Sequence, residues 1–362
     1  MKHGNDERYA ILTHGFFADR AAKTAHGVLA YAPERVVAVV DRAYAGARSS
    51  AILPHVAADV PIVASVKDAL ALGPSALLVG VAPQGGRLPP DWRAEILDAL
   101  RAGLDVHSGL HDLLRDDAEF VAAARQHGRA LVDLREPPPV PLFSGAAYDV
   151  PIPILLIVGS DCAVGKMTVA LELTRAAHER GVRATFVPTG QTGIAIAGWG
   201  ICVDRVIADF SAGAAEQLVL EGARRGFENG GMPSELLVVE GQGGINHPAY
   251  GAVTLGLLLG SAPDALVLAH EVGRTHIDGF GTPILSYRSL SELYEALCAG
   301  HKPANVVGLA LNTRRLDEPS AREALARARS ETGLPADDLV RFGPHAFYDA
   351  IAPALRKRES LA

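Results

Sequence analysis

Short apolar runs alternate with amphipathic stretches along nearly the whole chain. "YAILTHG" (9–15) opens the pattern, followed by an alanine-rich helical stretch (20–31) and "VVAVVD" (36–41). "PIVAS" (61–65) and a short helix come next, then "SALLVGVA" (75–82), the helical "DWRAEILDALRAG" (91–103) and "LDVHSG" (104–109). A further helix over 110–127 leads to "RALVDLRE" (129–136). Continuous apolar runs of strand length, separated by longer helical periods, predict parallel strands with helices on both faces of the sheet.

The strongest interruption is "REPPPVPLF" (135–143). Consecutive prolines cannot continue a helix or sit in a central strand, and they stiffen the chain into an extended spacer. A second series of the same kind follows: "PILLIVG" (153–159), a helix over 165–180, "ATFVPTG" (184–190), a helix over 211–225, "ELLVVEG" (235–241) and a helix over 250–260. "ALVLAH" (265–270), a helix over 289–299, "NVVGLALN" (305–312) and a helix over 319–332 complete it. The expected organisation is α/β with two doubly wound parallel sheets: a domain over 1–136, a proline-rich linker over 137–150 and a second domain over 151–362.

Composition narrows the function without naming it. The 362 residues are 49 % hydrophobic and 21 % charged, as a soluble globular protein requires, and the length suits two domains. The net charge of −7 argues against gripping nucleic acid or an anionic membrane surface. Three scattered cysteines (Cys162, Cys202, Cys298) form no metal-type spacing and fit a reducing compartment. The charged start "MKHGNDERYA" is no signal peptide, and no apolar run is long enough to span a bilayer, so a cytoplasmic location is expected. Homo-oligomerisation is expected from the prevalence of symmetric assemblies.

Candidate chemistry concentrates after the strands of the second series. "GSDCAVGKMT" supplies Gly159, Ser160, Asp161, Cys162, Ala163, Val164, Gly165, Lys166, Met167 and Thr168. Strand, small-residue loop, lysine and helix start together make a phosphate cradle: backbone N–H groups and the helix N-terminus face one anion, and the lysine adds a full charge. The loop departs from the P-loop pattern twice. Five residues separate its glycines instead of four, and Met167 stands where a magnesium-binding hydroxyl belongs. Thr168, one place late, is turned about 100° around the helix. The loop therefore suits phosphate better than a magnesium nucleotide, and no metal site is expected.

Other strand ends add companions. "VVEGQGG" carries Glu240 and Gln242, "PTGQTG" carries Thr189, Gln191 and Thr192, and "VDRVIADF" carries Arg205. "AHEVGRTHIDGFG" gathers His270, Glu271, Arg274, His276 and Asp278. Arg274 offers a fork suited to a substrate carboxylate, or else a surface ion pair. Cys162 is either a thiolate at a helix N-terminus or a small filler. In the first series Asp41 stands where a dinucleotide fold keeps its ribose-binding acid, but no G-x-G-x-x-G accompanies it, so it reads as a cap or turn residue. The glycine pair 85–86 makes either a ligand-side loop or a turn. The layout from "VPIVASVKDAL" to "SGLHDLL" is similar to that of CoA-binding domains of succinyl-CoA synthetase-type enzymes.

Two resemblances follow from these residues. "GSDCAVGK" and "VEGQGG" resemble dethiobiotin synthetase, whose extended phosphate loop has the same glycine spacing; this implies phosphate at Lys166 and a metal or substrate role for Glu240. It departs at Met167, where that enzyme has threonine. Over nearly the whole chain, "SDCAVGKMT", "PTGQTGI", "VDRVIADF", "GAAEQLV", "VEGQGGINHPAY", "PDALVLAHEVGR", "VAPQGGRLPPDW" and "SGLHDLL" resemble the bacterial D-glutamate N-acetyltransferase family of the DgcN type, formerly a domain of unknown function. That resemblance implies a Rossmann-like domain followed by a P-loop-like domain, and transfer of acetyl from acetyl-CoA to the amine of D-glutamate in amino-acid catabolism. Under it, residues 159–168 hold the phosphates of CoA, Glu240 or His247 accepts the amine proton, and Thr189, Gln191, Thr192, Arg205, Gln242 and Arg274 serve the amino-acid substrate. The competing expectation is an ATP- and magnesium-dependent kinase or ligase on a small carboxylic acid, and a third is a non-enzymatic nucleotide or CoA sensor.

Overall fold

The computed structural model describes residues 7–54, 56–81, 86–228 and 232–355. By packing, the chain forms two units. One takes the chain up to Pro138 together with Gly190–Arg205; the other takes Pro139–Thr189 and everything from Val206 onward.

The first unit is a six-stranded sheet of β1 (Tyr9–Leu12), β2 (Val36–Val40), β3 (Ile62–Val63), β4 (Ala76–Val79), β5 (Asp105–Ser108) and β6 (Leu131–Asp133). Its order is β3-β2-β1-β4-β5-β6 and every pairing is parallel. The central strands β1 and β4 bury all four of their residues, which is why their sequences run apolar without alternation. The second unit repeats the design with β7 (Ile154–Gly159), β8 (Ala184–Val187), β9 (Leu236–Val239), β10 (Ala265–Glu271), β11 (Asn305–Asn312) and β12 (Ala336–Asp337). Its order is β12-β11-β10-β7-β9-β8, again all parallel. These are the two doubly wound α/β sheets that the alternation predicts. In the second, β7 is the first strand in sequence and lies between β10 and β9, so the loop after it opens at the point where strand order reverses.

The first crossing between units falls at Pro138 and Pro139, within the proline-rich stretch. Beyond it, the buried Glu216 accepts hydrogen bonds from the Ser144 N–H and Oγ and from the Ala147 N–H, which pins residues 144–147 to the helix Ser211–Glu228.

Residues 190–205 depart from a linear division of the chain, since they pack within the first unit. They form a short helix, Gln191–Ala197, that the strand and helix patterns of the sequence do not announce. Arg35 donates through Nη1 to Ala195 O at 2.9 Å and Ile196 O at 3.1 Å, satisfying carbonyls that a helix C-terminus leaves open. Thr24 and Thr192 share a hydroxyl hydrogen bond of 2.9 Å, and the buried Arg135 pairs with Asp204. No described helix is long and apolar enough to cross a membrane.

Candidate functional site

The polar residues of the second unit collect at the carboxyl edge of its sheet. β7 ends at Gly159, and the helix Lys166–Glu179 begins seven residues later with Gly165 as its N-cap at φ +111°. That left-handed conformation is one only glycine adopts without strain. It turns the chain so that the first helical N–H groups, which lack intrahelical partners, face back across the loop. Strand, small-residue loop and helix start therefore follow one another here as the sequence predicts.

Lys166 is buried, and its ammonium donates to Asp161 O at 2.7 Å and to Gly243 O at 2.6 Å. Burial pushes its pKa down to about 8, against the pull of the nearby Cys162, Asp161 and Glu240. The second carbonyl comes from the "GQGG" loop, which approaches closely: a Cβ on Gly241 would stand 1.7 Å from Ile157 O, and one on Gly244 would stand 3.0 Å from Asp161 N. These glycines are the reason that loop can lie against the cradle. Met167 and Thr168 are half-buried in the first helical turn, after Lys166.

Asp161 is completely buried and fixes the mouth of the loop. Its carboxylate accepts from the Cys162 N–H at 2.6 Å, the Asp278 N–H at 2.9 Å and Arg274 Nη1 at 2.9 Å. Arg274 also donates to Cys162 O at 2.8 Å and pairs through Nη2 with Glu271. The guanidinium thus braces the loop against the end of β10, and its fork is committed to protein carboxylates. Glu271 additionally meets Arg314 Nη2 at 2.8 Å and Arg315 Nε at 3.1 Å. Burial pushes the Glu271 carboxyl up, but hydrogen bonds from Arg314 and Arg274 outweigh it and hold the pKa below the ordinary value.

On the other side, Glu240 follows the end of β9 and is buried. Its Oε2 accepts the Thr189 N–H at 3.0 Å, Thr189 Oγ1 donates to Glu240 O at 2.9 Å, and Gln242 Nε2 donates to Thr189 Oγ1 at 3.2 Å. His247, also buried, accepts the Ala249 and Tyr250 N–H groups on Nδ1 at 3.1 and 3.2 Å. In the neutral ring this places the proton on Nε2, which faces Asp161 Oδ1 at 3.6 Å. Exposed Tyr250 and Phe280 flank the ring at centroid distances of 4.6 and 5.2 Å. His270 pairs through Nδ1 with Ser160 Oγ at 2.8 Å; burial, then Arg274, pushes its pKa down to about 4, so it is neutral at physiological pH. Behind the loop, Tyr294 OH donates to Gly159 O and accepts the Ile245 N–H.

Asp161, Cys162 and His247 bring their ligand atoms within 4.8 Å of one another. They do not fit a cation. Coordination through His247 Nε2 would require a proton on Nδ1, where two backbone N–H groups already point, and the Asp161 carboxylate is engaged on both oxygens.

The second unit therefore brings together residues 159–168, Thr189, Glu240, Gln242, His247 and Arg274. Gln191, Thr192 and Arg205 lie in the first unit, where Gln191 packs beside Gly109, Thr192 pairs with Thr24 and Arg205 donates to His111 O at 2.9 Å. Asp41 is the turn residue that its sequence context indicates: completely buried, it accepts from Thr13 Oγ1 and from the N–H groups of Gly15, Phe17 and Ala43. Gly85 lies outside the described residues; Gly86 O accepts the His111 N–H. Sequence reading passes over Tyr294, Arg314 and Arg315. The paired arginines in "LNTRR" directly after β11 are a signal that could have been used, whereas a tyrosine within a helix carries none.

A family model described as "Domain of unknown function (DUF1611_C) P-loop domain" matches residues 141–348, and one described as "Domain of unknown function (DUF1611_N) Rossmann-like domain" matches residues 42–137. A protein of Tritonibacter scottomollicae named D-glutamate N-acetyltransferase is 36 % identical over 338 residues, covering 92 % of this chain and 94 % of that one. A protein of the same name from Pseudoalteromonas sp is 37 % identical over 283 residues, covering 77 % of this chain and 82 % of its own. The crystal structure of a DUF1611 family protein from Anabaena variabilis superposes with a TM-score of 0.87 at 40 % identity, over 96 % of this chain and 100 % of the other.

Proposed function

The chain belongs to the DUF1611 family, and from that premise we propose that it is an N-acetyltransferase that moves acetyl from acetyl-CoA to the amine of D-glutamate in amino-acid catabolism. The name carried by two relatives, one spanning nearly the whole chain, is the observation that carries this reading. The site supports it. Acetyl transfer needs a deprotonated amine, a polarised thioester and the two held together, and no phosphoryl group moves. A cradle with Lys166 and without a hydroxyl after it suits the phosphates of CoA.

We assign proton acceptance from the amine to Glu240, a carboxylate held by the Thr189 N–H. The N–H groups of residues 241–244 are the donors for the thioester oxygen. His247 fits a positioning role better than that of a base: in the neutral ring its Nε2 bears the proton, and Nδ1 is capped by the backbone. The alternative, an ATP- and magnesium-dependent kinase or ligase, has in its favour the strand–loop–helix geometry around Lys166, but Met167 and the cation-poor trio weigh against it. Incubation with D-glutamate and either acetyl-CoA or Mg-ATP separates the two. Free thiol release is expected with acetyl-CoA; ADP formation without thiol release would overturn the assignment. The same assay with L-glutamate tests chirality.

A further inference from the structure

We propose that Arg314 and Arg315 form an anion subsite for the ribose 3′-phosphate of the CoA donor. This rests on the acetyl-CoA reading above. Both residues directly follow the carboxyl end of β11, next to Glu271 at the end of β10. The side chain of Glu271 is 2 % exposed and has three guanidinium groups on its two oxygens, from Arg274, Arg314 and Arg315. Arg274 is simultaneously bound to Asp161. Around the same strand end, Asp338 accepts the N–H and Oγ1 of Thr313, and Arg341 donates to Thr313 O and Leu316 O. Three guanidinium groups, those of Arg274, Arg314 and Arg315, thus share two carboxylates, Asp161 and Glu271, while Arg341 braces the turn after β11 through carbonyls. At this edge guanidinium groups outnumber the carboxylates they pair with.

Exposure shows where an anion can enter. The Arg274 side chain is 13 % exposed and closed in, whereas those of Arg314 and Arg315 are 44 % and 63 % exposed. Glu271 Oε1 takes Nε and Nη2 of Arg314 and Nε of Arg315, which holds both side chains in place, so little ordering is needed for their remaining N–H groups to receive a dianion. The spacing points to which phosphate. β10 separates β11 from β7, so the arginines lie two strand spacings, roughly 10 Å, from the cradle. CoA carries a pyrophosphate and a separate monophosphate on its ribose, whereas ATP carries all its phosphates in one chain. A second anion site set apart from the cradle therefore distinguishes CoA from ATP.

The test compares acetyl-CoA with acetyl-3′-dephospho-CoA, using the full chain and the Arg314→Ala/Arg315→Ala variant, with Arg315→Ala alone as the milder change that leaves Glu271 paired. For the unaltered enzyme, loss of the 3′-phosphate is expected to raise the donor KM about tenfold or more with little change in kcat. In the double variant the two donors should become equivalent, and KM for D-glutamate should stay put. Equal treatment of both donors by the unaltered enzyme would overturn the proposal. So would an equal rise for both donors in the variants, or a rise confined to KM for D-glutamate, which would give the arginines to a substrate carboxylate. Titration calorimetry with CoA and 3′-dephospho-CoA needs no turnover. Discrimination there without thiol release would sink the acetyl-transfer reading and leave the subsite standing; no binding of CoA would sink both.

Discussion

Each unit places a completely buried aspartate at the carboxyl edge of a six-stranded parallel sheet, and the two are put to different uses. In the first unit Asp41 accepts four hydrogen bonds, three of them from the turn after β1. The Gly15 and Phe17 N–H groups there are the kind of donors that a dinucleotide fold turns toward a pyrophosphate. A protein carboxylate occupies them, and the turn is closed. In the second unit Asp161 also accepts from its loop, but a lysine, a helix N-terminus and an arginine cluster surround it. There three guanidinium groups share two carboxylates, Asp161 and Glu271. The same topology thus yields a closed turn around Asp41 in one unit and, in the other, a loop that gathers a buried lysine and an arginine.

The sharpest test of that contrast is the chemistry itself. Glu240→Gln keeps the hydrogen bond to the Thr189 N–H but removes the base, so kcat should fall about 10³-fold with KM little changed; a near-normal kcat would return the base role to another group. Asp41→Ala should act on stability alone, lowering the free energy of unfolding by about 3 kcal/mol through orphaned donors, as read by urea denaturation. A change in donor KM without loss of stability would show that the first turn binds ligand after all. Lys166→Met keeps the aliphatic stem and removes the charge. It should raise the acetyl-CoA KM about 10²-fold while leaving the urea midpoint nearly unchanged, because burying an ammonium is itself costly. An unchanged KM would remove phosphate from the cradle.

The smallest effect is the pH dependence of the same contact. The Lys166 pKa is depressed to about 8, so its charge is present below that value and is lost above it. Donor KM should be flat on the acid side and rise up to about tenfold per pH unit above 8. The Lys166→Met variant should show no such rise, and a rise that survives in it would have another cause.

The class of fold was legible because burial on both faces writes itself as unbroken apolar runs, and because Gly165 and Lys166 announce a helix entering from a tight loop. Less legible were the helix Gln191–Ala197, whose six buried residues leave no polar face to set a period, and β12, only two residues long. The sequence by itself determined the alternation of strands and helices, the phosphate-type loop and the missing hydroxyl at Met167, since each depends on neighbours along the chain. Only the tertiary structure decided that residues 190–205 pack with the first unit, that Arg274 braces Asp161 against Glu271, and that Arg314 and Arg315 share that carboxylate. Those outcomes depend on charges and hydrogen-bond partners brought together from strands far apart in sequence, where no local pattern records which acceptor a donor will meet.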